Sequence, residues 1–241
     1  MLGHFYCFDV FIKEGRMLKL TIRSLALLIL STLLISCGKV SSGKPNSPTD
    51  FQAGRDYQVI SNSQITPIIG PKEIIEVKEF FNYACPACYH FEPILEKWLA
   101  KKPAYVKFER IPIIFQPSWR SLARAYYIAQ MLGVERQLTP ALFKAIHVDR
   151  QDLSDPKLQE AFFIKEGVKQ QEFESMASFS PGIDAQLLRS DTLMQEDKIV
   201  AAPTLVVDNR YKVDPSLVGG DPARFLQVVD YLIEKVRKGE E

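Results

Sequence analysis

Residues 73–92 read EIIEVKEFFNYACPACYHFE, and within them a strand pattern runs directly into a helix pattern. The first part, 73–83, is rich in β-branched and aromatic residues with a partial period of two, which predicts a strand. Pro86 fits the first position of a helix, and apolar residues then recur at helical spacing. Cys85 and Cys88 therefore lie at a predicted strand-to-helix junction.

Strand patterns flank this junction and a later helical block. Residues 104–111 alternate cleanly between apolar and polar and predict a second strand, which makes a βαβ unit with the first. Strand character returns at 203–207 and resumes after a turn at 211–213, which predicts a β-hairpin. Asp221 and Pro222 then match the N-cap and first residue of a closing helix. This order of elements predicts an α/β fold interrupted by a helical insertion.

The block between the strands carries helical periodicity from Trp119 to Leu193. Two dipeptides in it, Thr139-Pro140 and Asp155-Pro156, each combine a favoured N-cap with a favoured first helical residue. We therefore expect one helix to start at each of them.

The N-terminal region has the pattern of an export signal that begins at Met17. Acidic residues upstream are out of place in such a signal, so we expect 1–16 to be a mis-assigned start. The apolar run ends at Leu34-Ile35-Ser36-Cys37, which resembles a bacterial lipobox, and such a leader (1–37) would be cut before Cys37 and the cysteine acylated. The alternatives are a simple secretory signal or an uncleaved anchor, although the run falls short of the roughly 18 to 20 residues that a spanning helix needs.

Acylation of Cys37 would keep the mature protein on a membrane, since several acyl chains exceed the two signals needed for stable attachment. Gly38 follows the cysteine, which favours the outer membrane over the inner one. Residues 38–50 lack apolar periodicity and predict a flexible tether with a span of roughly 20 Å. The folded part is expected to start near Phe51.

The overall charge argues against one class of partner. The formal charge is +1, from 30 basic and 29 acidic residues, and no basic run is present. Nucleic acid is therefore not an expected partner.

The folded part contains two cysteines, Cys85 and Cys88, once the leader is set aside. A helix N-terminus presents unpaired N–H groups and a partial positive charge, which stabilise a thiolate at Cys85. The thiolate is both the attacking form and the better leaving group in disulfide exchange. Cys88, one turn later on the apolar stripe, is expected to be the resolving partner in a redox pair.

Other interpretations of the motif are weaker. Structural zinc needs a second Cys/His pair, and only His90 lies close in sequence. Covalent haem needs a histidine directly after Cys88, where this chain has Tyr89. An inert disulfide is also possible, but so small a loop restricts the unfolded chain very little.

Three further side chains are weighed as site residues. Glu79 lies on the apolar face of its strand, where a buried carboxylate would have a raised pKa and could relay protons to the buried thiol. The alternative is a carboxylate that points to water at a strand edge. His90 and His147 are expected to be solvated or satisfied helical histidines.

At this point the sequence resembles the DsbA-like branch of the thioredoxin superfamily, over nearly all of 51–238. Three segments carry the resemblance to its active-site segment, a stretch of its helical domain and its cis-proline loop; these are Glu79 to Glu92 (EFFNYACPACYHFE), Leu132-Gly133-Val134-Glu135 and Val200-Ala201-Ala202-Pro203-Thr204. They occur in the order that the family requires.

The resemblance implies an α/β, thioredoxin-like fold with an inserted all-helical domain. The thioredoxin-like parts would be 51–117 and 193–241, and the helical insertion would be 118–192.

The resemblance also implies site roles. Pro203 would be cis and lie against the cysteine pair, and Ala202 and Thr204 would offer backbone groups to an extended substrate. Glu79 would be the family's buried acid. The chain departs from the family at Pro86-Ala87, because the best-known members have a histidine beside the second cysteine.

The implied activity is oxidation of unfolded exported proteins with free thiols in the bacterial periplasm. A quinone-linked membrane protein of the DsbB kind would reoxidise the pair, and neither an organic cofactor nor a metal is needed. The short stretch before Phe51 leaves no room for an N-terminal dimerisation domain, so a monomer is expected. The alternatives are a reductase or isomerase of the same fold, or a lipid-anchored binding module or holdase.

Overall fold

A computed structural model describes residues 50–60 and 72–240, and its described part is built on a five-stranded mixed sheet in the order β1-β5-β4-β2-β3. The strands are β1 (Gln58–Val59), β2 (Ile75–Phe81), β3 (Val106–Pro112), β4 (Thr204–Val207) and β5 (Tyr211–Val213). Central strand β2 pairs in parallel with β3 and antiparallel with β4. The leader, with Cys37, and residues 38–49 of the predicted tether lie outside the described residues.

Helices cover the sheet and fill the long connection between β3 and β4. They are α1 (Pro86–Leu99), α2 (Trp119–Met131), α3 (Glu135–His147), α4 (Pro156–Lys165), α5 (Gln170–Ser178), α6 (Ser180–Glu196) and α7 (Pro222–Lys238). The α1 and α7 helices pack on the sheet through apolar residues such as Phe91 and Phe225, whose rings stack at 4.9 Å. The predicted α/β fold with a helical insertion is confirmed.

Most of the predicted junctions are present. Pro86 is the first residue of α1, and Cys85 is its N-cap. The carboxylates of Asp155 and Asp221 accept hydrogen bonds from the first-turn N–H groups of α4 and α7. These side chains satisfy donors that a helix start would otherwise leave unpaired, which is why the two helices begin where the sequence indicates.

The predicted helix start at Thr139-Pro140 is wrong. The α3 helix begins at Glu135, directly after the chain has turned at Gly133 with a φ of +70°. The Thr139 hydroxyl donates back to the Glu135 carbonyl at 2.7 Å inside the helix instead of capping a new one. Pro140 falls in the second turn, where its missing N–H removes one intrahelical hydrogen bond and the helix continues.

The buried core joins the helical block to the cysteine motif. Phe81, Tyr83, Cys85 and Cys88 belong to one cluster of buried residues with side chains from α2 to α6. The cysteines thus lie where the sheet end meets the helical block. None of the helices in the described part of the chain combines the length and apolar character that crossing a membrane requires.

Candidate active site

The turn that delivers Cys85 to the start of α1 is held by Asn82, which is fully buried. The Asn82 amide donates to the Ile113 carbonyl at 2.8 Å, and its side-chain oxygen accepts from the Ala84 N–H at 3.0 Å. The Cys85 N–H donates to the Asn82 carbonyl at 3.0 Å. A buried amide with its hydrogen bonds satisfied fixes this turn, and Asn82 was not among the site residues predicted from the sequence.

Cys85 caps α1 with its sulfur. The Cys85 backbone is extended, and Sγ accepts a hydrogen bond from the Cys88 N–H at 3.3 Å. The pKa of Cys85 is lowered to about 7, first by a hydrogen bond from the Cys88 thiol and also by the N–H groups of Cys88 and Ala87. These donors outweigh burial and the negative charge of Glu79, both of which raise the pKa. Cys85 is therefore substantially ionised near neutral pH.

Cys88 has the opposite character. It is buried, and desolvation raises the pKa of its thiol well above the usual range, as do the neighbouring Cys85 and Glu79. Both cysteines are free thiols in this structure. One ionised sulfur beside a protonated, buried one is the arrangement that thiol-disulfide exchange uses.

The loop before β4 reaches the same sulfur. The Ala202–Pro203 peptide bond is cis, as the family resemblance implies. Cys85 Sγ lies 3.4 Å from the Ala202 carbonyl oxygen, to which its protonated form donates, and the Thr204 hydroxyl donates to the Ala201 carbonyl at 2.8 Å. Thr204 then enters the sheet opposite Phe80 of β2. Ala202 and Pro203 are therefore adjacent to Cys85 although they are more than a hundred residues away in sequence.

Glu79 lies in a buried cluster of charges. Its carboxylate is 1% exposed and accepts from Arg110 Nε at 2.9 Å, so the alternative of a solvent-facing carboxylate is wrong. The same guanidinium binds Glu92 at 2.7 Å and the half-buried Glu96 at 3.3 Å. Arg110 and Glu92 were not among the residues predicted from the sequence. The sequence pattern could have indicated both residues. Arg110 lies at a position of β3 whose side chain faces inward, and Glu92 lies four residues after Cys88 on the inner face of α1.

Glu79 and Glu92 share one buried guanidinium, and burial favours the protonated form of both carboxyl groups. Burial is the largest effect on Glu79 and raises the pKa of its carboxyl, with Arg110 opposing it and Glu96 adding to it. Burial likewise raises the pKa of Glu92 to about 7. Carboxyl groups this close titrate together rather than singly. Glu92 can therefore hold and release a proton near neutral pH, and the charge of Glu79 is near enough to Cys88 to raise the pKa of its thiol.

The other side of the motif is fixed by α3. The Tyr83 hydroxyl bonds Thr139 Oγ1 at 2.9 Å, and His147 Nε2 lies 2.8 Å from the Tyr83 carbonyl oxygen. The His147 ring also stacks on Tyr89 at 4.8 Å, so this histidine is a satisfied helical residue as predicted. His90 is exposed, also as predicted. Within 50–60 and 72–240, no group of three or more His, Cys, Asp or Glu side chains is arranged to hold a metal ion.

Two cavities adjoin these elements. An apolar groove of about 330 Å³ runs past the motif and is lined by Ala87, His90, Phe91, Pro203, Pro215 and Phe225, among others. A second cavity of about 290 Å³ has Glu96, Arg110 and Tyr126 in its wall. The first offers an apolar surface between Ala87 of the motif and Pro203, and the second opens on Glu96 and Arg110 of the charge cluster.

Comparison with known proteins places this arrangement in a family. The sequence model of the DSBA-like thioredoxin domain matches residues 76–229, more than half of the chain. The thiol:disulfide interchange protein DsbA of Burkholderia cepacia is 34% identical over 210 residues, covering 87% of this chain and 97% of that protein. The same-named protein of Pseudomonas aeruginosa is 35% identical over 188 residues, covering 78% and 87%. The crystal structure of Pseudomonas aeruginosa DsbA matches with a TM-score of 0.70 at 34% identity, covering 78% of this chain and 95% of that one.

We predict that alkylation of Cys85 by iodoacetamide, followed against pH by mass spectrometry, will have its midpoint near a pKa of about 7. In Cys88→Ala the midpoint should rise, because the largest cause of the lowered pKa is the hydrogen bond from the Cys88 thiol. Cys88→Ser, which keeps a hydroxyl donor, should give a smaller rise. Identical midpoints in the wild type and Cys88→Ala would show that this hydrogen bond does not set the pKa.

Proposed function

This chain belongs to the DsbA-like thioredoxin-domain family and is a thiol:disulfide oxidoreductase, and we propose that it donates the Cys85–Cys88 disulfide to exported proteins. The observation that carries the exchange chemistry is the opposite pKa shift of the two cysteines, lowered at Cys85 and raised at Cys88. The oxidising direction is supported by the likeness to the DsbA proteins. A stabilised Cys85 thiolate favours the reduced pair, and a pair that favours its reduced form is an oxidant.

The first proposed step is attack on the Cys85 sulfur of the oxidised pair by a substrate thiolate. The Cys85–Cys88 bond breaks, a mixed disulfide forms between the substrate and Cys85, and Cys88 leaves as a thiolate. Because the pKa of Cys88 is raised well above its usual range, that thiolate must be protonated at once. We propose that Glu79 supplies this proton.

The route of the proton is supported by the charge cluster. Glu79 and Glu92 share Arg110, and the Arg110 guanidinium also reaches Glu96, which is 32% exposed. Glu96 and Arg110 line the cavity of about 290 Å³. After Glu79 has given its proton to Cys88, it can regain one from solvent through these carboxyl groups and the water that the cavity admits.

The second proposed step releases the oxidised substrate. A second thiolate of the substrate attacks the substrate sulfur of the mixed disulfide, so the substrate gains a disulfide and Cys85 leaves as a thiolate. The pair now holds the two electrons that the substrate has lost. A quinone-linked membrane protein of the DsbB kind would accept them and restore the Cys85–Cys88 disulfide.

Substrate binding is proposed at the cis-proline loop and the apolar groove. Ala202, Pro203 and Thr204 would bind an extended segment through backbone groups next to Cys85. In the free thiol form the Ala202 carbonyl accepts from the Cys85 thiol, so substrate would exchange this contact for its own. Pro86 and Ala87 are exposed beside the sulfur and would form the outer edge of the site. Unfolded proteins expose apolar side chains, which suits the apolar lining of the groove.

We propose that the enzyme works in the bacterial periplasm, attached to a membrane through acylated Cys37, with the outer membrane favoured. The proposal rests on the lipobox pattern and on the polar tether that follows it. Support for a domain start near Phe51 comes from its packing, since the Phe51 ring is buried and lies 5.4 Å from Tyr231 of α7. We further propose a monomer, with thioredoxin-like parts at 51–117 and 193–241 and a helical insertion at 118–192.

The reduction potential of the pair, measured by glutathione titration with alkylation of free thiols, tests the direction of the reaction. We expect a value well above the roughly −180 mV of protein disulfide isomerase and towards the roughly −120 mV of a strong dithiol oxidase. Cys88→Ser, which cannot form the disulfide, sets the baseline. A value near −270 mV, about that of thioredoxin, would overturn the oxidase proposal and favour a reductase.

Replacement of the buried acid tests the proton step. We predict that Glu79→Gln oxidises a dithiol peptide about 100-fold more slowly, the low end of what a positioned acid contributes. Asp230→Asn is the control, because it removes a carboxylate of α7 that bonds Trp98 and lies outside the Arg110 cluster. Equal rates in the two variants would show that Glu79 has no special part in proton transfer.

Cellular fractionation tests the anchor. We predict that the wild-type protein incorporates labelled palmitate and stays with membranes, whereas Cys37→Ala is unlabelled and is released by osmotic shock. Cys7→Ala, upstream of the proposed start at Met17, should behave like the wild type. An unlabelled, freely released wild-type protein would rule out lipidation.

A further inference from the structure

The segment that carries Pro203 begins at a tightly closed helix end. At the end of α6 the Lys198 N–H bonds the Gln195 carbonyl at 3.1 Å and the Ile199 N–H bonds the Met194 carbonyl at 2.8 Å. Lys198 has a φ of 51°, in the left-handed region where glycine is usual, and Ile199 is buried. Both hydrogen bonds match the Schellman motif, so the geometry of the chain is defined from the last turn of α6 onward.

A buried ion pair connects this helix end to the central strand. Lys78 of β2 contacts the carboxylate of Asp197, the C-cap residue of α6, at 2.9 Å. The two side chains are 7% and 3% exposed, although they are 119 residues apart in sequence. Lys78 alternates with Glu79 along β2, so it faces the side of the sheet opposite to the buried acid.

The position of Asp197 is unfavourable without Lys78. The C-terminal end of a helix carries a partial negative charge, which repels a carboxylate there. Burial adds to this cost, because an unpaired carboxylate loses its hydration. An Asp197 deprived of Lys78 would therefore turn towards water and pull the start of the following segment with it.

The loop 198–203 is thus stretched between two attachments to the same strand. The Lys78–Asp197 pair holds its entrance, and the pairing of Thr204 with Phe80 holds its exit. The strand also leads directly to Cys85. One rigid element therefore determines the positions of the reactive sulfur and of the Ala202 carbonyl, which are 3.4 Å apart.

We propose that Lys78 and Asp197 are positioning residues, whose ion pair sets the cis-proline loop at the distance from Cys85 that substrate binding requires. The inference rests on the proposed function, because it assigns substrate binding to this loop. Within the loop, the Lys212 ammonium bonds the Lys198 carbonyl and the Thr204 hydroxyl bonds the Ala201 carbonyl. Those contacts shape the loop, and the Lys78–Asp197 pair fixes its entrance to β2.

The test separates positioning from stability. The double variant Lys78→Met/Asp197→Leu replaces the pair by apolar side chains, which typically preserves or improves stability. The new side chains cannot form the directional ion pair that joins β2 to the end of α6 in the wild type. Asp197→Asn is the second variant, because it keeps the size of the side chain and removes its charge. Arg189→Met is the matched control: Arg189 also ties α6 to the sheet, through Glu109 of β3 at 2.8 Å, but on the exposed surface.

The measurements are made on the full chain and comprise thermal unfolding, KM and kcat for oxidation of a dithiol peptide with glutathione disulfide as the oxidant that restores the pair, and the rate of reduction by dithiothreitol. We expect both variants of the pair to raise KM about fivefold or more with kcat within about twofold, the signature of lost substrate binding. Reduction by dithiothreitol, which is too small to need the loop, should stay within about twofold of wild type. Arg189→Met should match the wild type in all three.

Two outcomes would overturn the inference. One is a double variant with wild-type stability and wild-type KM, since the pair would then contribute packing alone. The other is a parallel loss of the peptide and dithiothreitol reactions, which would place the effect on the cysteines. Failure of the wild-type protein itself to oxidise the peptide would instead refute the proposed function.

Discussion

The hydrogen bonds that reach Cys85 Sγ at the start of α1 are the contacts on which the rest of the site depends. They require the sulfur to take the place of the usual N-cap oxygen, so the chain must leave β2, turn and begin α1 within a few residues. Asn82 makes that turn rigid from within the core. A more mobile turn would let the sulfur leave the helix axis, and the N–H donors would no longer favour its ionised form.

The buried charges beside Cys88 are difficult to explain by stability alone. Replacing buried ion pairs by apolar side chains of similar volume is often neutral or stabilising, so clusters of this kind are weak evidence for a stabilising role. Here one guanidinium serves three carboxylates, and burial raises the pKa of Glu79 and Glu92. The charge of Glu79 also acts on Cys88 and raises the pKa of that thiol. Proton transfer to Cys88, as proposed, would explain why the chain keeps buried charges that need not stabilise the fold.

The sequence predicted the helices and strands better than the long-range contacts between their side chains. Periodicity, proline and N-cap signals located the motif, the hairpin and the starts of α4 and α7, because these depend on residues close together in the chain. Thr139-Pro140 misled for the same reason: its local signal is that of a helix start, whereas the bond from Tyr83, 56 residues away, and the turn at Gly133 favour one continuous helix. The alternation of inward and outward side chains along β3 could have indicated that Arg110 is buried. No local pattern could have paired Lys78 with Asp197, since the contact arises only when α6 returns to the sheet.

Strand β2 shows how a short element can serve several parts of one reaction. Because successive side chains of a strand point to opposite faces, Glu79 reaches the charge cluster under α1 while Lys78 reaches the end of α6. The strand then continues through Asn82 to Cys85. A shift of register by one residue would turn every side chain to the other face, and would put either Lys78 in the place of Glu79 or Glu79 in the place of Lys78 beside Asp197. The parallel pairing with β3 and the antiparallel pairing with β4 prevent that shift, so the sheet register itself keeps acid, sulfur and loop anchor in their places.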